Sequence, residues 1–193
     1  ALELVGDADP ASVPGWAAGP VPAEDAVRAF SGVTLASRAP EATARVLTAL
    51  LGYTELAGCG DARRFRVEDA ARAGAVELLA DPPPGRPGAG TVHHVAFRVP
   101  DDATGAALRE RHVDAGLEPT PVIDRFYFRS VYFREPGGIL FEIATDGPGF
   151  TVDEDAEALG TGLRLTAMHE PSRARIEARL PPIRVPQPGR DDG

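Results

Sequence analysis

An internal repeat is the feature that most constrains the fold of this chain. Residues 28–88 and 89–147 have the same predicted order of elements, a strand, a helix and then three strands. The predicted helices are 40–52 and 101–116, and each ends at a glycine. One curved sheet buries only one of its faces, so two such units pack together. We therefore predict an α+β fold, in which two paired βαβββ modules form a cupped, barrel-like mixed sheet.

The two units differ at one position that matters for chemistry. When the two sequences are aligned, Gly32 corresponds to His94, and Glu77 corresponds to Glu142. The first module therefore lacks the histidine that the second carries. The opening residues 1–7 match the strand that contains Glu142, so we expect them to be the closing strand of a preceding module. This interpretation makes the chain the C-terminal part of a longer protein.

The remaining segments lack the repeat pattern. Residues 8–27 are rich in proline, glycine and alanine, which is typical of a linker. Residues 148–193 form a predicted C-terminal tail. It contains one short predicted helix, at 171–180.

Charge and composition exclude several kinds of partner. The net charge is −9, whereas nucleic-acid binding needs a basic face, so we expect no nucleic-acid partner. All 20 basic residues are arginine, which excludes catalysis through a lysine Schiff base. No run approaches the roughly 18 apolar residues of a membrane span, so we expect no membrane partner. The single cysteine, Cys59, cannot form an internal disulfide, which fits a reducing, cytoplasmic location.

The stretch TVHHVAFRVPDD (91–102) places two of the four histidines side by side in a predicted strand. Two histidines and one carboxylate on one face hold Fe(II) and leave three positions open. His94 and Glu142 fit two members of such a set, because they lie on the first and last strands of one module. Adjacent side chains of a regular strand point to opposite faces, so His93 lies at the rim. The alternative is a structural histidine pair with Glu142 facing solvent.

The stretch YFREPGGILFE (132–142) predicts a hairpin. Its EPGG turn joins two antiparallel strands and brings Tyr132 near Glu142, although any hairpin with a surface tyrosine has this pattern. Arg125 lies beside an aromatic cluster, where it is either a catalytic residue or a surface residue that makes a cation–π contact or a salt bridge. His112, near the end of the second helix, is expected at the surface, where a positive charge favours the helix dipole.

Taken together, these features resemble the vicinal oxygen chelate superfamily, which includes glyoxalase I, bleomycin resistance proteins and type I extradiol dioxygenases. GTVHHVAFRVPDD and DRFYFRSVYFREPGGILFEIATDGPGFTVDE carry the resemblance, and they are most similar to hydroquinone ring-cleaving dioxygenases. This resemblance covers roughly residues 28–185. It implies a cofactor, Fe(II) with Mn(II) possible, and two substrates, O₂ and a small aromatic molecule of the hydroquinone type.

The same resemblance implies roles for five residues. His94 would be an iron ligand, and Glu142 would be the carboxylate ligand. His93, Arg125 and Tyr132 would be catalytic residues that face the substrate or orient the ligands. His93 or Tyr132 would handle protons, and Arg125 would favour an anionic substrate or intermediate.

In that family a further histidine ligand lies on the first strand of an N-terminal unit. Gly32 occupies the equivalent place in the first module here. The resemblance therefore implies a partner, which is the N-terminal half of the same protein or another copy in a homo-oligomer. Two other functions stay open, since one scaffold hosts several chemistries. They are a non-catalytic, bleomycin-resistance-like module that binds a small ligand, and a glyoxalase-type lyase or isomerase.

Overall fold

Two four-stranded mixed sheets form the body of the protein. The computed structural model describes residues 2–6, 13–15, 21–57, 62–67, 74–79 and 88–182. The first sheet has the order β1-β4-β3-β2, with β1 (Gly32–Leu35), β2 (Thr54–Leu56), β3 (Ala62–Arg66) and β4 (Ala75–Leu79). The second has the order β5-β8-β7-β6, with β5 (Val95–Val99), β6 (Ile123–Asp124), β7 (Arg129–Arg134) and β8 (Leu140–Thr145). The predicted α+β fold with two βαβββ modules is confirmed.

Each module has one helix between its first and second strands. Helix α1 (Pro40–Arg45) begins with proline, whose fixed φ suits the first turn, and continues as a π-helical segment at Val46–Leu50. Helix α2 (Asp102–Asp114) is capped by Asp101, whose side chain accepts a hydrogen bond from the Thr104 N–H at 2.8 Å. The tail contains a short helix α3 (Arg173–Glu177) and 3₁₀ turns at Phe150–Val152, Ala156–Ala158 and Glu170–Ser172.

The registers of the two sheets are equivalent. The first and last strands of each module pair in parallel, with Thr34 opposite Glu77 in the first sheet and Ala96 opposite Glu142 in the second. Gly32 and His94 each lie two residues before these positions. The alignment of the two modules inferred from the sequence therefore agrees with the registers of their strands.

One apolar core joins the modules. The ring of Tyr53, from the first module, meets Phe97 of β5 edge-on at 6.0 Å. Among the described residues, no backbone pairing links the two sheets, so they do not close into a barrel. The buried side chains of the shared core include Leu35, Leu47, Phe65, Val76, Leu78, Val99, Phe133, Phe141 and Ile143.

The turn between β7 and β8 also fastens the modules together. Glu135 is only 2% exposed, yet its carboxylate accepts hydrogen bonds from the Thr43 hydroxyl at 2.5 Å and the Gly137 and Ile139 N–H groups at 2.8 Å. Ser37 in turn bonds the Thr43 hydroxyl at 2.6 Å. A buried carboxylate is tolerated only when it is hydrogen-bonded in this way.

The surface position expected for His112 is wrong. Its side chain is fully buried between α2 and β7, with its ring 4.4 Å from that of Phe133. Its Nδ1 bonds the Leu108 carbonyl at 2.6 Å, whereas its buried Nε2 has no hydrogen-bond partner. Burial holds the pKa of His112 below its ordinary value of 6.5.

Several expectations about segments are not settled by the fold. Residues 2–6 lie in no strand, so their identity as the closing strand of a preceding module stays a prediction. Much of the expected linker 8–27, and Cys59, lie outside the described residues. Within the described ranges, no helix has both the length and the apolar character that crossing a membrane requires.

Candidate active site

Three neighbouring strands of the second sheet place the candidate side chains. Strand β8 carries Glu142 and lies between β5 and β7. Tyr132 is the direct antiparallel partner of Glu142, and His94 immediately precedes β5. Since directly opposed residues share a face of the sheet, Tyr132 and Glu142 project to the same side.

His94 and Glu142 are in direct contact. Their Nε2 and Oε2 atoms are 2.8 Å apart, with the carboxylate side chain 4% exposed and the imidazole 33% exposed. The second carboxylate oxygen of Glu142, Oε1, is buried without a hydrogen-bond partner. Two adjacent ligand atoms about 2.1 Å from one metal ion lie about 3 Å apart, so this pair has the spacing of two ligands of one ion. The orphaned oxygen is a further sign that a group is accommodated here.

Two candidate metal ligands, His94 and Glu142, meet on this face. Among the described residues, no group of three or more His, Cys, Asp or Glu side chains is placed to hold a metal ion. The described part of the chain therefore brings together the histidine and the carboxylate of the predicted set without a third such side chain.

The two histidines touch each other rather than pointing apart. The predicted strand 91–99 begins only at Val95, so alternation does not govern His93 and His94. Their Nδ1 atoms are 2.9 Å apart, and their rings are nearly perpendicular. If Nε2 of neutral His94 is a ligand, its proton is on Nδ1, which then donates to Nδ1 of His93. His93 is exposed, and its contact with Nδ1 of His94 holds the His94 ring in one orientation.

Tyr132 and Arg125 complete a chain of contacts. The Tyr132 ring meets the His94 ring edge-on at 5.6 Å. The Arg125 guanidinium lies over the Tyr132 ring, 5.4 Å from its centre, and its Nη2 donates to the Tyr132 hydroxyl at 3.3 Å. All five residues singled out from the sequence are thus in one contiguous cluster, and Arg125 is the cation–π partner of one of the others.

The equivalent face of the first module has a different arrangement. Glu77 is bonded by Nε of Arg64 at 2.9 Å and by the Thr34 hydroxyl at 3.3 Å. A Cβ atom on Gly32 would lie 2.6 Å from the carbonyl oxygen of Ala75, so the backbone leaves no room for histidine there. The charged partner of the Glu77 carboxylate is therefore the Arg64 guanidinium, whereas Glu142 contacts the imidazole of His94.

A separate cleft of about 210 Å³ lies beside α2. Its lining includes Val99, Gly105, Val131 and Ile143, and none of the five candidate residues. The cleft wall is mainly apolar, although the paired Asp102 and Arg129 also line it. The His94–Glu142 pair is therefore the candidate metal site, because a histidine and a carboxylate meet there.

Two residues that shape the turn around Arg125 were not among the residues predicted from the sequence. Asp124 accepts a hydrogen bond from the Phe126 N–H at 2.7 Å, and the Tyr127 hydroxyl donates to Asp153 at 3.1 Å. In an Asx turn, an aspartate side chain accepts a hydrogen bond from the backbone N–H two residues later. The aspartate of DRFYF was therefore a recognisable candidate for such a turn. The contact with Asp153 spans 26 residues and had no local signal.

Comparisons with known proteins place the chain in context. Residues 31–143 match the family model described as the Glyoxalase/Bleomycin resistance protein/Dioxygenase superfamily. The chain is 43% identical over 172 residues to a Bacillus subtilis (strain 168) protein named "Putative ring-cleaving dioxygenase MhqO", covering 88% of this chain and 54% of that protein. It is also 45% identical over 87 residues to the "Chlorohydroquinone/hydroquinone 1,2-dioxygenase" of Sphingobium indicum, covering 43% of this chain and 26% of that protein.

A solved structure agrees with these matches. The crystal structure titled as a putative dioxygenase from Bacillus subtilis superposes with a TM-score of 0.82 at 41% identity. It covers 88% of this chain and 55% of that chain. The present chain therefore spans about half the length of the curated relatives that it matches most extensively.

Proposed function

Because the chain belongs to the Glyoxalase/Bleomycin resistance protein/Dioxygenase superfamily, we propose that it forms the metal-binding part of a ring-cleaving dioxygenase. The observation that carries the proposal is the 2.8 Å contact between His94 Nε2 and Glu142 Oε2, beside a buried carboxylate oxygen without a partner. The relatives named as ring-cleaving dioxygenases support this choice of reaction over others of the superfamily.

The proposed metal is Fe(II), with Mn(II) as a possible substitute. Imidazole and carboxylate ligands with open positions are the ligand set of non-haem iron oxygenases. Bound between His94 and Glu142, the metal would supply coordination positions for a substrate oxygen and O₂, and electrons for the activation of O₂. The proposed substrate is an aromatic of the hydroquinone type, because one relative is named as a dioxygenase of hydroquinone and chlorohydroquinone.

The other three residues act on the substrate's protons and charge. The Arg125 guanidinium stays positively charged, so beside the Tyr132 hydroxyl it favours a deprotonated substrate oxygen. Because Tyr132 accepts its hydrogen bond from Arg125, its own proton is free to be donated to an oxygen of the substrate. His93 holds His94 in one orientation through the Nδ1 contact, and its Nε2–H is left to donate a hydrogen bond to an oxygen of the substrate.

We further propose that the third protein ligand comes from outside this chain. Two ligands within the described residues, and a first module whose backbone excludes histidine at Gly32, support this idea. The source is either the N-terminal half of the same protein or a second copy of the chain. The former is favoured because the alignment with this chain covers only 54% of the MhqO relative.

The test compares two carboxylate variants in the protein at its full length. Glu142→Gln is expected to lower both anaerobic Fe(II) affinity and O₂ uptake with hydroquinone, by more than the roughly 10- to 100-fold that loss of a group supporting a ligand costs. Glu77→Gln, at the equivalent position of the other module, is the matched control and retains both. Retention of iron and turnover by Glu142→Gln refutes the proposal. If the unmodified protein binds metal but takes up no O₂, a lyase or isomerase is favoured. If it binds a small ligand without metal, a non-catalytic binding module is favoured.

A further inference from the structure

A strained turn lies beside the candidate site, between β6 and β7. Phe126 has φ of +70°, and it is the one non-glycine residue with positive φ in the described part of the chain. A bulky side chain rarely adopts this conformation, which persists only where the surroundings impose it. Phe126 is 39% exposed, and its ring meets that of the adjacent Tyr127 edge-on at 5.0 Å.

Hydrogen bonds on both sides impose this conformation. The Asp124 carboxylate accepts from the Phe126 N–H at 2.7 Å, and the Arg125 N–H donates to the Phe128 carbonyl at 2.9 Å. The tail holds the next residue, because the Gly149 N–H donates to the Tyr127 carbonyl at 2.8 Å. The backbone on either side of Arg125 is therefore fixed.

The fixed backbone determines where Arg125 points. Arginine has many rotamers and loses much conformational entropy when it is held in one place. Here its guanidinium lies over the Tyr132 ring and reaches the Tyr132 hydroxyl, on the face that contains His94. Without the turn, the exposed side chain would sample positions away from the site.

We propose that Asp124 and Phe126 are positioning residues, which act by holding Arg125 over Tyr132 through the Asx turn. This inference rests on the proposed function, because it concerns the recognition of an anionic ring substrate by Arg125. The carboxylate of Asp124 acts as a hydrogen-bond acceptor for the turn and not as a charge. The left-handed conformation at position 126, rather than the phenyl ring, is what the turn requires.

Three variants separate these roles in the metal-free chain. Arg125 side-chain protons over the Tyr132 ring have upfield ring-current shifts, which NMR measures without metal or substrate. Asp124→Ala removes the acceptor and is expected to abolish the shifts. Asp124→Asn keeps the acceptor without the charge, and Phe126→Gly keeps the left-handed conformation without strain, so both retain the shifts. Shifts that survive in Asp124→Ala, or that are lost in Asp124→Asn, overturn the inference.

A second measurement concerns recognition, in the full-length protein loaded with Zn(II), which has no redox chemistry. The probe is nitrohydroquinone, whose anion absorbs visible light. We expect Asp124→Ala and Arg125→Ala each to weaken binding about tenfold, because small displacements of an orienting group have effects of this size or larger. The double variant should be no weaker than Arg125→Ala, since both changes remove one interaction. If the losses of probe affinity in the two single variants add up in the double variant, the positioning role is overturned. If the unmodified protein does not bind the probe, the proposed function is refuted. The NMR comparison then decides the role of the turn by itself.

Discussion

The contact between Glu135 and Thr43 allows a quantitative test of how the two modules are joined. Thr43 is fully buried, and its hydroxyl donates to Glu135 Oε2 at 2.5 Å while bonding Ser37 Oγ at 2.6 Å. Thr43→Val replaces the hydroxyl with a methyl group of similar size. The carboxylate keeps its two backbone donors, from Gly137 and Ile139. The variant therefore isolates the hydroxyl without leaving the charge unpaired.

The expected cost follows from the bonds that are lost. A hydrogen bond to a charged group contributes about 1.5–3 kcal/mol, and a neutral one contributes about 1 kcal/mol. Loss of the Glu135 and Ser37 contacts should together lower the free energy of unfolding by about 3 kcal/mol. With an m-value of roughly 2–3 kcal/mol/M, the urea midpoint falls by about 1 M.

The assay is urea unfolding followed by far-ultraviolet circular dichroism. Thr48→Val is the matched control, because the exposed Thr48 hydroxyl donates mainly to the Ala44 carbonyl of its own helix at 3.0 Å. The control should change the free energy of unfolding by less than about 0.5 kcal/mol. If Thr43→Val changes the free energy of unfolding as little as the control does, Glu135 is hydrated rather than buried. The contact between Glu135 and Thr43 then does not join the two modules.

Three further changes test other parts of the structure. Because burial depresses the pKa of His112, the unfolded state binds more protons than the folded state below pH 6.5. The free energy of unfolding therefore falls with acidification, by at most about 1.4 kcal/mol per pH unit. His112→Leu should flatten this pH dependence in urea titrations at pH 5.5 and 7.5. Gly32→Ala places Cβ 2.6 Å from the Ala75 carbonyl oxygen and should cost about 1–3 kcal/mol in thermal unfolding. Gly137→Ala places Cβ 1.8 Å from Ser37 Oγ and should destabilise the protein more than Gly32→Ala in the same assay.

Much of the fold was predictable because its signals are local. Apolar alternation, the aspartate cap of α2 and the glycine-containing turns each depend on a few adjacent residues. The repeat then aligned His94 and Glu142 with their counterparts, and the strand registers agree with that alignment. The strand expected at 91–99 begins instead at Val95, because end residues of a strand lack the pairing that defines it.

Burial of polar groups was less predictable. Helical position suggested an exposed His112, but the approach of β7 and its Phe133 ring encloses the imidazole completely. The sequence predicted the EPGG turn that Glu135 begins, but not that this turn packs on α1 and buries the carboxylate. In both cases the partner is distant in sequence, so no local pattern indicates the burial.

The sequence by itself determined the two βαβββ modules, because the repeat and its periodicity depend on residues close together in the chain. Its resemblance to a known superfamily then implied the candidate ligands, His94 and Glu142. Only the tertiary structure decided that His93 and His94 meet at Nδ1, that Arg125 lies over Tyr132, and that Glu135 joins the modules. These contacts depend on how strands and helices pack in three dimensions. Packing combines many weak interactions between residues that are distant in the chain, and local sequence patterns do not show which of them form.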